Sequence, residues 1–147
     1  MTMNRDRALE LLRGGVLGIG HWNRWRRNDE STPSLAHAHL AGLDLTDADL
    51  RGCDLKGTNL LRAVLFGAKL DDADLCKADL RETDLSHASL VGARLLGTNL
   101  SKSRLFSADL TETRLERAKL GQAEADANTR WPDGFSPSQH GVEPWPE

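Results

Sequence analysis

An all-β solenoid is the fold class this sequence predicts, on three observations. Leucine occupies every fifth position from Leu35 to Leu120 without a miss, eighteen in succession. An α-helix returns a side chain to the same face every ~3.6 residues and a strand every ~2, so a period of five fits neither and demands a stack of short units. Two residues before each leucine the occupant is small, as in Ala38, Ala48, Cys53, Thr58, Ala63, Ala68, Ala73 and Ala78, and only Leu43 is bulky there. One large and one small inward residue per unit fill a narrow interior without voids. The residue before leucine is often Asp or Asn (Asp44, Asp49, Asp54, Asn59, Asp74, Asp79, Asp84, Asn99, Asp109), and Gly often stands two after it, which suits tight turns.

In its units ADLRG (48–52), ADLCK (73–77) and TNLLR (58–62), the chain resembles the pentapeptide-repeat family, whose unit reads small, Asp/Asn, Leu/Phe, polar, Gly. The resemblance implies a right-handed quadrilateral β-helix with four pentapeptides per coil. Eighteen units then make about 4.5 coils, a rod roughly 20 Å long at ~4.8 Å per coil.

The elements follow in chain order. Residues 1–34 are expected to form a short helical N-terminal cap and linker. Leu9, Leu12, Val16, Ile19, Trp22 and Trp25 recur at helical spacing, with a break near Gly14-Gly15 and a linker containing Pro33. An apolar helix and two tryptophans over the first coil would protect an otherwise open edge. The segment from LLRGG to HWNRWRR is also similar to the leader found ahead of the repeats in many bacterial members. Residues 35–122 are the repeat array. Residues 123–147 are a C-terminal cap and tail: Trp131-Pro132-Asp133-Gly134-Phe135 is a turn flanked by aromatics that should cover the last coil, and the tail beyond Pro137 is expected to fray.

Composition excludes several function classes. The net charge of −3 gives no basic footprint for nucleic acid, so no direct nucleic-acid binding is expected. The stretch Val16 to Ile19 is too short for a membrane span or a signal-peptide core, so no membrane association is expected and the cytoplasm is the expected location. Cys53 falls in a small inward slot and Cys76 in an outward one, which argues against a disulfide between them. His37 and His39 lack the converging ligands a metal needs, and Asp84, Ser86 and His87 are adjacent outward positions with no pocket in prospect. No catalytic residue, cofactor or metal site is assigned, and the chain is not expected to be an enzyme.

The surfaces carry what function remains. With residues twenty apart as stacked neighbours, the rows of Leu40 and Leu55 each net +2, that of Leu50 nets −3, and that of Leu45 nets −3 when Glu124, just beyond the array, is counted with it. Some family members resemble duplex DNA in charge and width and bind type II topoisomerases such as gyrase in its place. The resemblance therefore offers an acidic face, Asp49, Asp71, Asp72, Asp109 and Glu112, as the alternative site. The slot after leucine should face water, yet it holds Leu61, Phe66, Val91, Leu96 and Phe106. From these we take Leu61, Phe66, Leu96 and Phe106 as the candidate contact patch. The expected function is a non-catalytic binding or scaffold module presenting flat solenoid faces to a protein partner, with a homodimer as the other expected assembly.

Overall fold

The computed structural model describes residues 2–28 and 31–146. Helices α1 (Arg5–Leu12) and α2 (Gly15–Arg26) precede the repeats. Asn4 caps α1 by accepting from the Arg7 backbone N–H at 2.8 Å. Between the helices the chain turns at Gly15, whose φ of +62° is easy only for glycine.

From Leu35 onward every unit repeats one geometry. The leucine points inward, the next two residues turn, and the small residue points inward again. The fifth residue bridges in parallel to the residue twenty further on, from His39↔Asn59 to Arg104↔Glu124. Four units therefore separate stacked neighbours. Leu35 to Leu110 are all 0% exposed, and the small slots among them are closed as well apart from half-buried Leu43. Buried threonines in those slots satisfy their hydroxyls locally, as where Thr98 donates to the Leu75 carbonyl at 2.7 Å and Thr58 to the Leu35 carbonyl at 3.0 Å.

The turns explain the rest of the repeat. The N–H of the small residue closes each turn onto the leucine carbonyl, as in Ala78 to Leu75 at 2.9 Å. The residue between them, two after leucine, has positive φ throughout, the requirement of a type II turn. Glycine fills that position at Gly42, Gly52, Gly57, Gly67, Gly92 and Gly97, whereas His37, Asp47, Lys77, Arg117 and others hold it at φ of 55–60°. Ladder bonds hold that conformation in place: the His37 N–H reaches the Lys56 carbonyl at 2.8 Å and that of Lys77 reaches Leu96 at 2.9 Å. The Asp or Asn before leucine primes the turn, because its carboxylate or amide oxygen accepts the N–H two residues on, as in Asp74 from Cys76 at 3.1 Å and Asp84 from Ser86 at 3.0 Å.

The helices close the first coil in atomic detail. Trp22 is 0% exposed and donates its indole N–H to the Asp49 carbonyl at 2.8 Å. Asn23 acts as a missing strand: its amide donates to the Asp47 carbonyl at 2.9 Å and accepts from the Asp49 N–H at 2.8 Å. Arg5, Arg13 and Arg26 take the carbonyls of Ser34, Ala36, His39 and Arg51. The edge that would otherwise invite another chain is thereby occupied.

At the other end the coil outlasts the leucine period. Ala123 and Ala125 are buried where leucines stop, and Thr129 fills an inward slot and donates to the Leu105 carbonyl at 2.7 Å. One extra residue before Arg130 shifts the last bridge to Asp109↔Arg130. The tail beyond Pro137 does not end loosely, contrary to the sequence expectation. It forms a 3₁₀ turn (Pro137–His140) and a strand β2 (Glu143–Pro144) parallel to β1 (Glu124–Ala125), with the Trp145 N–H on the Ala125 carbonyl at 2.7 Å. Those bonds supply the partners that the backbone of the final coil lacks, so the last edge selects an ordered tail. Among the described residues no helix is long and apolar enough to cross a membrane.

Candidate binding surfaces

The slot after leucine lies at the start of each turn, where a side chain projects into water. In the row of Leu45 that slot runs Thr46, Phe66, Ser86, Phe106. Phe66 is 42% exposed and its ring rests 5.1 Å from that of His87 on the next coil. Ser86, between the two phenylalanines, is buried. Phe106 is half-buried because Trp145 packs edge-on against it at 5.2 Å, an arrangement favoured by the ring quadrupoles. Trp145 is itself 56% exposed. The wall of this row thus carries two aromatic pairs, Phe66 with His87 and Phe106 with Trp145, with buried Ser86 between them. The four proposed contact residues do not all share it: Leu61 is half-buried on the adjoining row, and Leu96, 40% exposed, lies on the row diagonally opposite, beside Arg94, Arg114 and Glu116. Sequence reasoning missed Trp145, whose only signal was a tryptophan between two prolines in a stretch read as loose.

The alternative acidic face is largely spent on the fold. Asp49 is buried, and Arg51 grips its carboxylate with Nε at 2.8 Å and Nη2 at 2.6 Å, holding that carboxyl below its usual range. Asp71 accepts from the Ser89 hydroxyl at 2.6 Å. Asp109 takes the backbone and hydroxyl of Thr111 at 3.0 and 2.8 Å and sits 3.5 Å from Arg130. Asp72 and Glu112 stay exposed in one column, separated by Gly92. In sequence, all five carboxylates read as surface charge.

The remaining reactive groups are engaged structurally. The Asp84 carboxylate accepts the Ser86 backbone N–H while His87 lies against Phe66, so these three do not form a relay. Both cysteines are free; burial pushes the Cys53 thiol up to about 11 and raises that of Cys76. Among the described residues no three His, Cys, Asp or Glu side chains cluster as metal ligands would.

Several carboxylates of the turns make stability depend on acid. The Thr46 hydroxyl lowers Asp44, and Arg51 and Arg81 lower Asp49 and Asp79. Burial pulls Asp74 and Asp126 upward, but hydrogen bonds from Cys76 and from Ser107 and Thr129 outweigh it. A carboxyl lowered on folding contributes stability that is present above the unfolded value of ~3.9 and disappears as pH falls through the lower folded value. The urea midpoint should therefore be level from about pH 7 to about 5 and drop below about pH 4. A midpoint that rises on acidification would contradict these assignments.

The pentapeptide-repeat sequence pattern, in eight copies, matches residues 34–65, 44–81, 58–95 and 83–122. The chain belongs to the pentapeptide-repeat family. A pentapeptide-repeat protein from Nostoc PCC 7120 is similar at 31% identity and a TM-score of 0.52, over 89% of this chain and 96% of that one. A pentapeptide-repeat protein from the thylakoid lumen of Arabidopsis thaliana gives 30% identity and a TM-score of 0.61 over 62% of this chain and 63% of that one, so the alignment spans somewhat less than two thirds of its length. QnrB1, a plasmid-mediated fluoroquinolone resistance protein, aligns at only 16% identity with a TM-score of 0.46, too distant to bear on partner choice. Comparison with curated protein sequences finds no match. The pentapeptide-repeat β-helix accounts for the leucine ladder and for the edge-closing role of the N-terminal helices.

Proposed function

We propose that this pentapeptide-repeat protein is a non-catalytic binding module, a right-handed quadrilateral β-helix of about 4.5 coils that engages a protein partner through the wall centred on Phe66. The supporting observation is Phe66 itself, a large aromatic 42% exposed in a slot suited to polar side chains, with the His87 ring beside it. Aromatic anchors of this kind dominate interface energetics when a partner buries them. A second copy is the other occupant this wall suits, and the two free thiols fit a cytoplasmic setting.

Phe106 anchors Trp145, so changing it would also loosen the tail; Phe66 is the cleaner probe. Phe66→Asp should alter stability by under about 1 kcal/mol in a urea melt and weaken partner binding, or any dimer seen in sizing, at least ~tenfold. Unchanged association in this variant would remove the proposal.

The second reading is a DNA-mimicking protein that binds a type II topoisomerase, favoured by the net negative charge of two rows. It rests on Asp72 and Glu112, since Asp49, Asp71 and Asp109 are already bonded within the fold. Gyrase supercoiling inhibited by the purified protein and restored by Asp72→Asn with Glu112→Gln would establish it over the first.

A further inference from the structure

We propose that the outward face of α2 docks an acidic amphipathic helix of another protein, as a second contact surface independent of the solenoid walls. Val16 and Leu17 are 83% and 79% exposed, the most exposed large hydrophobic side chains among the described residues. One such residue would be ordinary surface. These two are adjacent, and they continue along the helix into exposed Gly20, His21 and Arg24 at the three- and four-residue spacing that defines one side.

The glycines of this segment separate what the fold needs from what it does not. Gly15 holds φ at +62°, a Cβ on Gly14 would lie 3.1 Å from the Gly18 Cα, and one on Gly18 would lie 2.1 Å from the Leu11 carbonyl oxygen. Gly18 is required by the contact of α1 with α2, and Gly14 and Gly15 are favoured by the turn between the two helices. Gly20 is different: it sits inside α2, and an added Cβ would meet nothing within 4 Å. Glycine weakens a helix interior relative to alanine, and here no contact within the chain compensates. What it leaves is a notch between Leu17 and Arg24 through which a second helix can bring its backbone close, as small residues allow at helix crossings.

Charge selects the occupant. The cap and linker of residues 1–34 carry six arginines against Asp6, Glu10, Asp29 and Glu30, a net of +2, whereas the whole chain nets −3, so the remainder carries −5. Arg24 and Arg27 are exposed beyond the notch. Two such caps repel each other, and the acidic remainder opposes an anionic membrane. A helix with an apolar anchor for Val16 and Leu17, and with Asp or Glu about two to three turns further on for Arg24 and Arg27, satisfies both the surface and its charge.

The test is a selection from a displayed library of amphipathic helical peptides against the full-length protein. Enriched peptides should carry two or more acidic residues beyond an apolar anchor and weaken as salt rises from about 50 to about 500 mM. They should lose at least ~tenfold in affinity for Gly20→Leu and for the Val16→Ser, Leu17→Ser double variant. Gly20→Ala should raise the thermal midpoint while weakening binding, which separates interface from fold. The proposal is overturned by no enrichment above a control protein, by neutral or basic winners, or by undiminished binding to Gly20→Leu. Val16- and Leu17-dependent pelleting with vesicles of roughly 70% phosphatidylcholine and 30% phosphatidylserine would also overturn it, in favour of a lipid surface. Phe66→Asp should leave these affinities intact, so failure here and failure of the proposed wall are distinguishable.

Discussion

Replacing Trp22 with Ala is expected to cost about 3–5 kcal/mol and to loosen the first coil before the rest. The side chain is fully buried between the helices and the array, and its indole holds the Asp49 carbonyl at 2.8 Å. Truncation removes that packing and leaves a carbonyl at the coil edge without its donor. In a solenoid each coil is stabilised chiefly by its neighbours, so the damage should be local at first. Amide exchange should accelerate over residues 35–54 and remain slow near Leu85, and a protein that loses more of the cap should associate edge to edge. Uniform acceleration along the chain would mean that α1 and α2 stabilise the molecule in some way other than closing its end.

Replacing Leu75 with Ala is expected to cost about 2–5 kcal/mol. Leu75 is 0% exposed at mid-array, and the walls around it cannot collapse easily. Its own N–H is held by the Arg94 carbonyl at 2.9 Å, and the Leu55 N–H on the coil before is held by the Asp74 carbonyl at 2.8 Å. The cavity should therefore persist, which places the cost well above simple transfer of the lost methyl groups. Ala78→Leu should also destabilise, because that slot is 1% exposed and has no volume to offer. A urea-melt change below about 0.5 kcal/mol for Leu75→Ala would contradict an inward leucine column.

The array was legible in the sequence because burial and turn chemistry repeat in register. Leucine, a small residue and Asp or Asn at fixed spacing determine what faces inward and where the chain bends. The positive φ at His37, Lys77 or Arg117 was not legible, since no such residue favours it; ladder bonds in three dimensions impose it. Trp22 and Asn23 could be read as part of a cap, but not as the donor and acceptor set for Asp47 and Asp49, because those partners lie more than twenty residues away. The tail failed as a sequence reading for the same reason. Pro144 and Trp145 suggest no strand on their own, and the unpaired edge at Ala123 and Ala125 is what orders them. For the surfaces, sequence marked Phe66 and Phe106 as outward but could not show that Trp145 covers one and leaves the other open. It also offered Asp49 to a partner as part of an acidic face, when Arg51, two residues on, already holds its carboxylate.

The most direct measurement is site-specific photo-crosslinking in the cells that make this protein, with a photoreactive phenylalanine analogue at position 66 and, separately, at position 72. The aromatic-wall account predicts a discrete protein adduct from position 66, a partner or a second copy, and none from position 72. An adduct formed only at position 72 would contradict it and transfer the function to the exposed acidic column of Asp72 and Glu112.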